Sequence, residues 1–191
     1  MASGQGSNFE ALVAASQQGS LNAEVALLIV NNRDCGAVAR AERLGVPWQL
    51  LDHRLHPSRE HLDGALVASL QQAAVDLVVM AGWMRIVTPV LIEAFAGRLL
   101  NIHPSLLPSF RGVDAVGQAL AAGVTLSGCT VHLVSEQVDA GEILIQAAVP
   151  VLADDDRASL AARIQRQEHQ LLPAAVALLA ARLQAQEPAQ G

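Results

Sequence analysis

The stretch Asn101-Ile102-His103-Pro104 places an amide and an imidazole two residues apart. On an extended chain alternate side chains share a side, so these two polar groups project together. An amide N–H is a neutral donor and a protonated imidazole N–H a charged one, and side by side they suit a developing oxyanion. Pro104 and Pro108 keep a helix from starting at the exit. Spacing alone leaves a second reading open, a strand-end turn with a structural Asn and a surface His. Asp139, in the polar loop SEQVDAGE, could orient such an imidazole, raise its pKa above the usual ~6.5, or hold a water for proton relay. Taken by itself, it reads first as a turn residue beside Gly141.

A second candidate lies at the start, where SGQGSN (3–8) runs into an apolar helical pattern. A glycine turn at a helix start offers free N–H groups and the positive end of the helix dipole, which suits a phosphate. The dinucleotide fingerprint fails, because Phe9 stands where a third Gly would fall and no Asp or Glu ends the strand near Asn31. An ordinary glycine-rich turn remains the alternative. Met84 in GWMRIV suits the wall of a flat aromatic ligand as well as it suits a core. Arg59 could meet a carboxylate or its own Glu60 or Asp63, and Glu168 in QRQEHQ reads as a solvated helix-face residue. His132 reads as a satisfied core histidine. His53, His56, His61 and His169 lack metal-ligand spacing, so no metal site is expected. Cys35 and Cys129 read as isolated, reduced thiols.

Strand-like and helical stretches alternate around these residues. Apolar runs at 24–32, 46–52, 75–82, 98–105, 128–134 and 142–151 read as strands. Helical patterns occupy 35–45, 58–74 with Ser58 as cap, 88–97 with Pro89 in its first turn, and 113–122. A long final helix begins at Asp154–Asp156 and is expected to break or kink at Pro173. The order predicts an α/β fold with a doubly wound, mostly parallel sheet and an antiparallel edge. One domain is expected over 1–183, with 184–191 a frayed tail. In such sheets ligands bind at the carboxyl ends of the strands, here 3–8, 82–88, 101–112 and 135–141.

The chain carries 12 basic residues, all Arg, against 18 acidic ones, a net charge of −6, with 3% aromatics. That balance disfavours nucleic acid as a partner and leaves any anion to be held locally. No apolar run reaches bilayer length, and residues 1–20 lack the pattern of a signal peptide, so a cytoplasmic protein without a membrane partner is expected.

Taken in order, SGQGSN, AGWMRIV, GRLLNIHPSLLPSFRG, GCTVHLV, VDAGEIL and QRQEH resemble the phosphoribosylglycinamide formyltransferases, over roughly residues 1 to 180. The resemblance implies a formyltransferase-like fold and formyl transfer from 10-formyltetrahydrofolate, as co-substrate and without a metal, to the amine of glycinamide ribonucleotide in purine synthesis. It implies a monomer or homodimer acting on small molecules. Asn101, His103 and Asp139 would be catalytic. Gly6, Ser7 and Asn8, with Gln165, Arg166, Gln167 and Glu168, would bind the ribonucleotide. Met84, Arg85, Ile86 and Val87 would line the pterin pocket, which Asn101 also borders. The loop Ser135, Glu136, Gln137, Val138 and Asp139 would close on the pterin, and Arg59 would lie near the folate's acidic tail.

Two departures stand out. Many relatives carry histidines in the segment matching GVDAVGQAL, where this chain has Asp114 and Val116. Relatives also begin about six residues earlier, with an apolar strand leading into the glycine turn. The first strand is therefore expected to be truncated, the turn poorly anchored, and Met1 an internal or misassigned start. A methionyl-tRNA formyltransferase would need a further C-terminal domain and basic surface. A formyltetrahydrofolate deformylase would carry an N-terminal regulatory domain and a second His where Pro104 stands. A non-catalytic relic that binds nucleotide is the reading from another class.

Overall fold

A computed structural model describes residues 1–186. Its elements run α1 (Ser7–Gln17), β1 (Leu28–Val30), α2 (Gly36–Leu44), β2 (Trp48–Leu50), α3 (Arg59–Gln72), β3 (Val78–Met80), α4 (Pro89–Ala94), β4 (Leu99–His103), α5 (Ala115–Ala121), β5 (Leu126–Leu133), β6 (Ile143–Pro150) and α6 (Arg157–Gln186). A single 3-10 turn, His53–Leu55, precedes α3. Strands β1 and β2 pair in parallel, and a second sheet runs β3-β4-β5-β6. Its β3–β4 pair is parallel, while β4–β5 and β5–β6 are antiparallel, so the antiparallel portion takes in three strands.

Met1–Ser3 stitch the two sheets together. Ala2 bridges Val30 in parallel and donates its N–H to the Ile29 carbonyl at 3.0 Å. On the other side Ala81 N–H donates to the Met1 carbonyl at 2.9 Å and Ser3 N–H to the Gly82 carbonyl at 3.0 Å. Ala2 forms an isolated bridge, and, against the expectation of a poorly anchored turn, the glycine turn that follows is bonded on both flanks. Backbone pairing by three residues suffices to anchor it.

Alternation along β4 assigns the faces. Leu100 and Ile102 pack with Leu12 of α1, Cys129 and Val131 of β5, and Leu160, Ile164 and Leu172 of α6. Leu99 belongs to the opposite core, with Leu62, Leu66 and Leu70 of α3, Val78 and Met80 of β3, Trp83, and Leu91 of α4. Helices thus cover both faces of the sheet, and burying a Leu or Ile from water contributes about 1.5–3 kcal/mol. Asn101 and His103 share the phase of Leu99 at the strand's carboxyl end.

The boundaries move in places. The first three strands are three residues each, shorter than their apolar runs, and the apolar residues flanking them lie outside any strand ladder. The final helix continues through Pro173 as one element, and Gln184–Gln186 are helical instead of frayed. Residues 187–191 of the expected tail lie outside the described residues. No helix is long and apolar enough to cross a membrane among the described residues.

Candidate active site

Strand β4 delivers Asn101 and His103, and the loop after β5 delivers Asp139, which adopts a left-handed backbone at φ 52°. The three meet. His103 Nδ1 lies 3.3 Å from Asp139 Oδ2, and Asn101 Nδ2 donates to Oδ1 at 3.4 Å. His103 Nε2 is 2.8 Å from the Phe110 carbonyl, which fixes the ring plane. Two donors from one strand thereby converge on one pair of carboxylate oxygens. The Gly112 N–H donates to Asp139 Oδ2 at 2.8 Å and ties the loop after β4 to the same carboxylate.

His132 completes the cluster. Antiparallel pairing places it opposite Asn101, with Nε2 3.1 Å from Asn101 Nδ2 and 3.5 Å from Asp139 Oδ1. A register shift at Val131/His132 interrupts the β5–β6 ladder there, a bulge of the kind that re-aims a side chain. Burial alone would raise the Asp139 carboxyl. The His132 hydrogen bond, the Gly112 N–H and the positive field of both histidines outweigh it and hold the group below the usual carboxylate range.

The second cluster joins the glycine turn to α6. Asn8 Nδ2 donates to Glu168 Oε2 at 2.8 Å, and Gln165 Nε2 donates to Ser7 Oγ at 2.9 Å. Glu168 and Asn8 are buried, and Asn8 Oδ1 has no partner among the described residues. Burial pushes the Glu168 carboxyl up, against the opposing hydrogen bond from Asn8. Gly6 adopts φ 75°, and a Cβ there would sit 2.7 Å from Ala37. Gln165 and Glu168 share a helix face, whereas Arg166 and Gln167 fall between them and make no side-chain hydrogen bond among the described residues.

The third group is the segment after β3. Met84 and Ile86 are exposed at 76% and 55%, while Val87 is buried in the α3–α4 core and does not line an open surface. Met84 N–H donates to Ser3 Oγ at 2.8 Å, and Arg85 Nη2 lies 2.5 Å from His53 Nε2. Asp63 Oδ2 accepts the Thr88 N–H at 2.5 Å, holding the end of this segment to α3. Arg59 opens α3 and forms no ion pair among the described residues. Ser135 Oγ donates to the Gln137 carbonyl at 3.0 Å, folding the 135–139 loop on itself beside exposed Val138. Burial pushes the Cys129 thiol up to about 12, with Glu168 nearby adding to the shift, so no thiolate is available at neutral pH. No group of three or more His, Cys, Asp or Glu side chains is placed so that it could hold a metal ion among the described residues.

The family model described as formyl transferase matches residues 1–176. The chain belongs to the formyl transferase family. It is 43% identical over 178 residues to the human trifunctional purine biosynthetic protein adenosine-3, covering 93% of this chain and 18% of that protein. The chain thus spans less than a fifth of that relative. It is 39% identical to the phosphoribosylglycinamide formyltransferase of Haemophilus influenzae, covering 90% of this chain and 81% of that one. The solved glycinamide ribonucleotide transformylase 1 of Symbiobacterium toebii superposes with a TM-score of 0.92 at 45% identity, covering 94% of this chain and 84% of the other.

Within this formyl transferase fold, His132 is buried with both ring nitrogens partnered, as expected of a satisfied core histidine, and it also reaches the Asp139 carboxylate, which sequence reasoning did not foresee. Its signal was its phase: it lies two residues beyond Thr130, which pairs with His103 across the β4–β5 ladder. Asp114, in the segment without histidines, has a structural part. It caps α5 by accepting the Gly117 N–H at 3.2 Å, and it pairs with Arg157 at 2.7 Å.

Proposed function

We propose that this formyl transferase moves the formyl group of 10-formyltetrahydrofolate to the amine of glycinamide ribonucleotide in purine biosynthesis. The observation that carries the reading is the convergence of Asn101 Nδ2 and His103 Nδ1 on the Asp139 carboxylate. Donors preorganised to meet two negative oxygens are also placed to meet an oxyanion, each worth about 3–4 kcal/mol in a transition state.

The substrate amine attacks the formyl carbon, a C–N bond forms, and the carbonyl electron pair moves onto oxygen. Asn101 and His103 donate N–H groups to that oxyanion. As it collapses, the bond to the folate nitrogen breaks, the amine loses a proton and the departing nitrogen gains one, with Asp139 and His103 as relay. Gly6, Ser7 and Asn8 with Gln165 and Glu168 hold the ribonucleotide, its phosphate at the turn and its hydroxyls toward Glu168. The orphaned Asn8 Oδ1 fits a polar ligand there. Exposed Met84, Ile86 and Val138 suit contact with a flat pterin, and unpaired Arg59 suits the folate's carboxylates. Site and substrates are those of a cytoplasmic enzyme acting on small molecules. The test is turnover with both substrates. His103→Ala is expected to lose at least about a hundredfold in kcat, and near-normal turnover by that variant would overturn the reading.

A further inference from the structure

The peptide planes of the glycine turn are set from outside it. The Ala37 N–H at the start of α2 donates to the Gly4 carbonyl at 3.1 Å, and Arg40 Nε donates to the Gln5 carbonyl at 2.7 Å. In a trans peptide unit the C=O and the N–H point in opposite directions. With the Gly4 and Gln5 carbonyls turned toward α2, the N–H groups of Gln5 and Gly6 turn away from it. The Gly6 carbonyl accepts the Glu10 N–H at 2.9 Å, inside the α1 ladder, so the Ser7 N–H faces out of the helix start. Three consecutive N–H groups are thereby left free at the N-terminus of an 11-residue helix, the backbone pattern from which anion-binding concavities are built.

One of these orientations rests on a side chain. The Gln5–Gly6 unit is flanked by Gly6, whose own backbone tolerates either orientation, so the glycine does not by itself fix the plane. Arg40 supplies the outside constraint and is itself held by Glu10 of α1. Arg43 also binds Glu10, at 2.5 Å, without reaching the turn.

We propose that Arg40 is a positioning residue for anion binding: it holds the Gln5 carbonyl toward α2 and so keeps the Gly6 N–H aimed at the ligand's phosphate. The inference rests on reading the turn as the phosphate cradle. Arg40 acts through the backbone and does not touch the phosphate.

The test pairs kinetics with amide chemical shifts under titration with inorganic phosphate. In the unsubstituted protein, phosphate competes with the ribonucleotide and shifts the Gly6 and Ser7 amides. Arg40→Ala raises the ribonucleotide KM and the phosphate inhibition constant about tenfold, leaves kcat and the folate KM within about twofold, and loses the Gly6 shift. Arg40→Lys restores part of the effect. Arg43→Ala removes an ion pair to the same Glu10 and leaves all of these within about twofold. Arg40→Met, which keeps the stem without the donors, replaces Arg40→Ala if that variant does not fold. Equal effects of Arg40→Ala and Arg43→Ala, or an unchanged Gly6 shift in the Arg40 variants, overturn the proposal while sparing the cradle. Failure of phosphate to shift Gly6 and Ser7 in the unsubstituted protein overturns both.

Discussion

At the scale of single residues, the Asp139 carboxylate is the hub of the proposed reaction centre, because Asn101, His103, His132 and the Gly112 N–H all contact it. Its pKa is depressed, so its contacts are present above the ordinary carboxylate range and are lost as pH falls through the lowered value. His132→Ala removes one of the contacts that depress it. That variant is expected to keep turnover within about tenfold at neutral pH and to move the acid limb of the kcat profile to higher pH. An unmoved acid limb would separate His132 from the titration of Asp139. Asn101 and His103 were legible from their two-residue spacing, which needs only the alternation of a strand. His132 was not, since its place opposite Asn101 is a matter of inter-strand register, which a single sequence does not display.

At the scale of elements, the β5–β6 ladder carries the bulge that aims His132, and its packing is close enough to exclude a methyl group. A Cβ on Gly128 would lie 2.0 Å from the Ala147 carbonyl oxygen of the facing strand. Gly128→Ala is therefore expected to destabilise the fold by about 1–3 kcal/mol or more, read as a lowered urea midpoint with activity lost in step. A midpoint equal to that of the unsubstituted protein would mean the strands can separate freely there. The alternating order of strands and helices was readable because apolar runs bounded by Gly, Asn and Pro recur along the chain. Strand lengths were not, because an apolar run reports burial and not ladder bonding. Val25, Leu27, Val75 and Leu77 are apolar and partly buried yet lie outside their strands. Pro173 misled for a related reason. A helix that buries Leu171, Leu172, Ala175 and Val176 is held by packing, which outweighs the one hydrogen bond that proline removes.

At the scale of the whole molecule, Glu168 sets function against stability. Its folded pKa is raised by burial, so the ionised form costs stability: the native state is favoured below the ordinary value of 4.5 and loses that advantage as pH rises through the raised one. Glu168→Gln is expected to raise Tm by about 2–4 °C at pH 7, with the gain vanishing below 4.5, while the ribonucleotide KM rises. A Tm gain that persists in acid would assign the effect to packing instead of charge. The acidic charge balance, 12 basic against 18 acidic residues, fits anion binding by backbone N–H groups and a few placed side chains. The chain has no Tyr and two Trp, and one of these, Trp83, is buried with its indole N–H unpartnered, one residue before exposed Met84. The segment read as the pterin wall thus carries its own fluorophore. With Trp48 changed to Phe, the emission of the whole protein comes from Trp83 alone, and folate binding at the proposed pterin wall is expected to change it without any label.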